Sequence, residues 1–163
     1  MTTALCSSMS LLFCCYLITR NEIDVFHVGA LQMVFEKVAV EGYEALKKAI
    51  EGSRARTVIL FTGSKDSGKS WCPDCIAAEP VIARVIGELS SSNFANEHDI
   101  RFIECSVGSR EYWKNAKNPF RTDDHFKLSC IPTLIEYGVK GKKLSEVQLT
   151  NETLVKELLM DDE

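Results

Sequence analysis

The hydrophobic and polar positions along the chain alternate between strand-like and helix-like spacing, and the order of the two is informative. Residues 35–40 alternate loosely, as an edge strand does. Across 41–51, Tyr43, Leu46 and Ile50 recur at spacings of three and four, which predicts a helix ended by Gly52. Thr57-Val58-Ile59-Leu60-Phe61 is continuous, apolar and β-branched, the pattern of a central strand covered on both faces. A polar loop spans 63–70. Residues 72–89 read as a helix with Ile76, Val81, Ile82, Val85, Ile86 and Leu89 as apolar positions and with Pro80 expected to kink it. A second buried strand is predicted over 100–106, a short helix over 110–114 and another over 123–128. A strand follows at 133–137, then a turn over 138–143 and a hairpin partner over 144–149. Asn151 is placed to cap a last helix that buries Leu154, Val155, Leu158 and Leu159.

The resulting order is β-α-β-α-β-α-β-β-α. Strands separated by helices imply parallel pairing with right-handed crossovers, and the late hairpin adds antiparallel strands. The fold class is α/β: a mixed central β-sheet flanked by helices. At 163 residues, with 45% hydrophobic and 26% charged residues, one domain with a real core is expected. That domain is assigned to 34–163, and 1–33 is read as a disordered or weakly structured extension. Its apolar stretch, Ser10 to Ile18, is too short for a membrane-spanning helix. It also lacks the preceding Lys or Arg and the cleavage site of a signal peptide. Met33 stands just before the regular pattern, where an internal start would fall. A net charge of −4 argues against a sequence-independent nucleic-acid binder.

The chemistry concentrates at Trp71-Cys72-Pro73-Asp74-Cys75. Of the seven cysteines only Cys72 and Cys75 are regularly spaced, and an odd count does not suit a secreted disulfide framework. A structural zinc site needs four ligands, and Cys105, Cys130, His27, His98 and His125 are not at ligand spacing. No metal is therefore expected. Redox chemistry fits better. Cys72 at a helix start would have its thiolate stabilised by unpaired N–H groups and the positive end of the helix dipole. Cys75, one turn in, is expected to be more buried, protonated and able to resolve a mixed disulfide. Pro73 suits the first helical turn. Asp74 opposes a second negative charge nearby, or is simply a good helix-start residue. Trp71 is read as a lid beside the nucleophile, with core packing as its plainer role. Cys105 and Cys130 are read as buried fillers, and Cys6, Cys14 and Cys15 as bystanders.

Two further motifs bear on function. Gly63-Ser64-Lys65-Asp66-Ser67-Gly68-Lys69-Ser70 matches the phosphate-binding pattern G-x-x-x-x-G-K-[ST]. No strand ending in a magnesium-binding Asp accompanies it, and Trp71-Cys72-Pro73 is an awkward start for a phosphate-loop helix. Ile131-Pro132-Thr133 opens a strand, and a Pro there is a candidate cis-proline that brings free backbone groups close to the two sulfurs.

The Trp-Cys-x-x-Cys, Pro80 and Ile131-Pro132-Thr133 together resemble thioredoxin. Phe61 to Asp66, Lys69 to Cys75, Ala78-Glu79-Pro80, Tyr112-Trp113-Lys114 and Pro132-Thr133-Leu134 resemble more narrowly the thioredoxin domain-containing protein 17 branch. The resemblance spans about 34–163. It implies a thioredoxin fold and a cytoplasmic, monomeric protein-disulfide reductase with no bound cofactor. Thioredoxin reductase would recharge it with electrons from NADPH. Its substrates would be small or selected disulfides such as cystine, and also peroxides or nitrosothiols. A dynein light chain is implied as a partner in restraining cytokine-driven inflammatory signalling. Cys72 matches the nucleophile, Cys75 the resolving thiol, Pro73 and Asp74 the redox-tuning pair, and Trp71, Ile131 and Pro132 the substrate-docking surface. The chain departs from the branch in having one glycine, Gly68, where members carry two, and that deletion creates the phosphate-loop match. It also departs from thioredoxin in carrying an apolar or small residue where a buried Asp stands on the central strand. Proton transfer to Cys75 must then use water or another group, Asp74 being the candidate. A signalling adaptor using the fold as a binding surface is the alternative of a different class.

Overall fold

The computed structural model describes residues 35–161, and the predicted extension over 1–33 lies outside the described residues. The strands are β1 (Phe35–Glu41), β2 (Arg56–Thr62), β3 (Lys65–Asp66), β4 (Lys69–Ser70), β5 (Ile100–Ser106), β6 (Thr133–Glu136) and β7 (Lys143–Ser145). The helices are α1 (Tyr43–Ile50), α2 (Pro73–Ser91), α3 (Phe94–Glu97), α4 (Arg110–Lys114), α5 (Pro119–Thr122) and α6 (Glu152–Met160), with a 3₁₀ turn over Glu146–Thr150.

The main sheet has the order β1-β5-β2-β6-β7. β5 lies parallel to both β1 and β2, and β6 runs antiparallel to β2 and to β7. β2 is central, which is why its apolar run is continuous: both of its faces are covered. Alternate residues part to opposite sides. Ile59 and Phe61 join Ile103, Leu46, Phe120 and Phe126 in one core, whereas Val58 and Leu60 join Phe102, Leu134 and the buried faces of α2 and α6 in the other. Phe61 meets Phe120 and Phe126 edge-on, with ring centroids 5.8 and 5.4 Å apart. The carboxyl end of α6 is tied to the sheet by Arg56. Its guanidinium donates to the Leu159 and Leu158 carbonyls at 2.6 and 2.7 Å and to Glu136 at 2.7 Å. Asn151 caps α6 as expected, accepting from the Thr153 and Leu154 N–H groups at 3.0 and 3.4 Å.

The structure corrects four local readings. The helix predicted over 123–128 is a turn, and the helical turn lies upstream at Pro119–Thr122. Asn118 caps it by accepting from the Phe120 N–H at 2.9 Å, and Pro119 takes the first helical position. Asp123 then serves as a turn acceptor, taking the Tyr43 hydroxyl at 2.5 Å and the His125 N–H at 2.8 Å. The strand predicted over 144–149 ends at Ser145, because Gln148 reaches back to accept the Ser145 N–H at 3.0 Å and starts the 3₁₀ turn. The helix predicted over 72–89 spans Pro73–Ser91, with Pro80 inside it. The polar loop over 63–70 is a small hairpin. Ser67 and Gly68 both have positive φ, 49° and 83°, which is the turn geometry that suits two-residue hairpins. The phosphate-loop reading fails on this geometry: the glycine closes a hairpin, and α2 starts only at Pro73.

Candidate redox site

Cys72 is the N-cap of α2. Its sulfur accepts the Cys75 N–H at 3.3 Å, and its own N–H donates to the Ser70 hydroxyl at 3.3 Å. Ser70 Oγ in turn donates to the Gly63 carbonyl at 3.1 Å, which fixes the end of the hairpin beneath the dithiol. The Cys72 thiol also faces the Ile131 carbonyl at 3.6 Å. Ile131 and Pro132 are buried, and the peptide bond between them is cis, as the sequence suggested. Trp71 is half-buried, and its indole N–H donates to the Gly108 carbonyl at 2.9 Å. Its ring lies so close to Gly63 that a Cβ there would stand 2.8 Å from Trp71 Cε2. A glycine is required at that position by the Trp, not by a turn.

The fold thus brings Trp71, Cys72, Cys75, Ile131 and Pro132 together. Pro73 and Asp74 are exposed on the first turn of α2. Two expectations change. Cys75 is not the more hidden thiol, since Cys72 and Cys75 are each 4% exposed; Cys72 packs in one core cluster with Ile131 and Trp71. Cys130 is not a buried filler but half-buried, because it lies in the bend before Ile131 with its carbonyl accepting the Thr133 hydroxyl at 2.8 Å. Cys105 is fully buried, as expected. Cys6, Cys14 and Cys15 lie outside the described residues. Both thiols of the pair are unbonded to each other.

Burial, and secondarily the hydrogen bond with Cys72, push the Cys75 thiol up to about 12; the Gly63 backbone and the Thr62 hydroxyl act in the opposite direction. Burial alone raises Cys105 to about 12. The hydroxyl of Tyr43 rises to about 12, first through its hydrogen bond to Asp123 and then through burial. All three groups keep protons in the folded state that the unfolded chain has lost. Stability is therefore full below the unfolded values and declines as pH rises from about 9 towards about 12. For Cys105 the slope reaches about 1.4 kcal/mol per pH unit. Urea unfolding of the reduced protein at about pH 8 and about pH 10.5 is expected to show this decline, less steep in Cys105→Ala. Parallel profiles for the two proteins would refute it.

Residues to which sequence reasoning gave no role also lie beside Cys75. Thr62, Lys65, Glu79 and Glu104 line a cavity of about 90 Å³ that reaches Cys75 and Pro132. Thr62, Lys65 and Glu79 fall within motifs that carry the family resemblance, but none was given a role at the dithiol, and Glu104 lies outside those motifs. Among the described residues, no three or more His, Cys, Asp or Glu side chains converge as metal ligands.

A dithiol at the start of a helix, facing a cis-proline across a β1-β5-β2-β6-β7 sheet, defines a thioredoxin-fold protein. The chain belongs to the thioredoxin domain-containing protein 17-like family, whose thioredoxin domain matches residues 39–161. It is 39% identical over 130 residues to the human thioredoxin domain-containing protein 17, covering 78% of this chain and 98% of the relative. It is 37% identical over 101 residues to the thioredoxin-like protein Clot of Arabidopsis thaliana, covering 58% of this chain and 70% of the relative. A solved chloroplastic thioredoxin z aligns over 79% of this chain and 99% of its own, with 15% identity and a TM-score of 0.41. The family is a thioredoxin-like redox family, and a thioredoxin-like redox role follows for this chain. Among the described residues no helix is long and apolar enough to cross a membrane.

Proposed function

We propose that the protein is a cytoplasmic disulfide reductase that works by thiol–disulfide exchange through Cys72 and Cys75. Cys72 attacks one sulfur of a substrate disulfide and forms a mixed disulfide, releasing the first thiol. Cys75 then attacks Cys72, releasing the second thiol and leaving a Cys72–Cys75 disulfide. Thioredoxin reductase restores the dithiol with electrons from NADPH. The observation that carries this reading is the N-cap geometry. The Cys72 sulfur accepts the Cys75 N–H at 3.3 Å, which holds it at the start of α2 one turn from the second thiol.

Trp71, Ile131 and Pro132 form the docking surface, the Ile131 carbonyl lying 3.6 Å from the Cys72 sulfur. Pro73 and Asp74, exposed beside it, meet the substrate rather than the core. Membership in the thioredoxin domain-containing protein 17-like family supports small or selected disulfides such as cystine as its substrates. The test is NADPH oxidation in a mixture of the protein, thioredoxin reductase and cystine. Turnover that depends on the protein is expected. A folded protein that supports none would overturn the reading.

A further inference from the structure

Cys75 has to lose a proton before it can attack Cys72, yet it is buried in a site that holds that proton firmly. On β2, Leu60 and Thr62 face α2, and neither can serve as a carboxylate base. Asp74 does not line the cavity behind Cys75 and lies exposed on the first turn of α2. That cavity, about 90 Å³, has room for several waters. Four charged side chains line it: Lys37 from β1, Lys65 from β3, Glu79 from α2 and Glu104 from β5. With Cys72, these are the titratable groups near Cys75, and the segment just before β6 contributes only Pro132.

Their arrangement separates the two carboxylates. Lys65 Nζ is 2.5 Å from Glu79 Oε1 but 3.7 Å from Glu104 Oε1. Glu79 is thus engaged in a close ion pair, and Glu104 is held near it without that contact. Glu104 stands beside Leu60 in the β2–β5 register. It also lines a second cavity, of about 250 Å³, together with Thr62 and Lys65. One carboxylate therefore faces both the space behind Cys75 and an outer space that Ser64 and Glu41 also border. Its side chain is 41% exposed, so a proton it receives can pass on to solvent.

We propose that Glu104, positioned by Lys65, takes the proton of Cys75 through the Thr62 hydroxyl and water in the cavity, and so sets the rate of the resolving step. The inference rests on the reductase reading. In that step the Cys75 S–H bond breaks and its proton passes to Glu104. The electron pair left on sulfur forms the bond to Cys72 Sγ. The bond between Cys72 Sγ and the substrate sulfur breaks, and its pair leaves on the substrate thiolate, which takes a proton from solvent. The two cysteines are oxidised and the substrate disulfide is reduced to two thiols. Glu104 does not touch the sulfurs and is a positioning and proton-accepting residue.

The experiment uses a mixed disulfide between Cys72 and thionitrobenzoate, and follows release of coloured thionitrobenzoate as Cys75 attacks, across a range of pH. Glu104→Gln is expected to slow release at least about tenfold near neutral pH, with its profile displaced to higher pH. Glu79→Gln is expected to change release less than about twofold, and both variants to keep the wild-type rate of Cys72 alkylation. An unchanged rate and profile in Glu104→Gln would overturn the proposal, as would an equal loss in Glu79→Gln. The release assay needs no reductase. A failure of Glu104 therefore shows here, and a failure of the reductase reading shows separately, as absent NADPH turnover.

Discussion

Cys72→Ser is expected to abolish NADPH-dependent reduction of cystine, with a loss of at least about 10³-fold. A hydroxyl at this position has no comparable nucleophilicity at neutral pH, because its pKa lies far above that of a thiol. The fold should be nearly undisturbed, since a Ser oxygen at the N-cap can accept the Cys75 N–H that the sulfur now accepts at 3.3 Å. Cys75→Ser should behave differently. The first attack remains, the resolving step is lost, and the protein accumulates as a mixed disulfide visible by mass. Equal loss without that adduct would mean that Cys72 is not the attacking thiol. Normal turnover of Cys72→Ser would mean that the dithiol is not the redox centre, leaving a binding role as the better account.

Phe61→Ala is expected to destabilise the domain by about 3–5 kcal/mol, the usual range for deleting a buried aromatic ring. Typical domains are stable by about 5–15 kcal/mol, so the loss is a large share of the total. Phe61 is fully buried at the centre of the sheet and packs edge-on against Phe120 and Phe126. Its removal leaves a cavity bounded by a strand on either side and by two other aromatic rings, where collapse is difficult. Equilibrium urea unfolding checks it, and a loss below about 1 kcal/mol would show that the site repacks.

Much of this was legible in the chain because the signals are local. The β2 run shows a strand covered on both faces, and Asn151 is a cap followed by an amphipathic helix. Trp71-Cys72-Pro73-Asp74-Cys75 has the composition of a thiol at a helix start. The misread segments fail for an equally local reason: two signals competed. At 118–123, the Asn118-Pro119 start was stronger than the apolar spacing of Phe126 and Leu128, which bury themselves from a turn. At Ser145, a side chain three residues on ended a strand that alternation alone would have continued. In the hairpin over 65–70, the Ser67-Gly68 turn residues coincided with a phosphate-loop pattern. The antiparallel pairing of Lys65–Asp66 with Lys69–Ser70 and the start of α2 at Pro73 separate the two.

By itself, the chain determined the order along the chain of the five strands of the main sheet, the position of the dithiol at the start of α2 and the kind of chemistry two thiols at that spacing perform. These depend on contacts within a few residues, where propensity, capping and periodicity act. Only the tertiary structure decided what surrounds Cys75. Lys37, Lys65, Glu79 and Glu104 come from β1, β3, α2 and β5, far apart in sequence, and nothing in their spacing marks them as neighbours. Parallel pairing of β5 between β1 and β2 puts Glu104 opposite Leu60, and the hairpin carries Lys65 onto it. Side-chain electrostatics depend on distances that sheet register sets, and register is a property of the assembled fold.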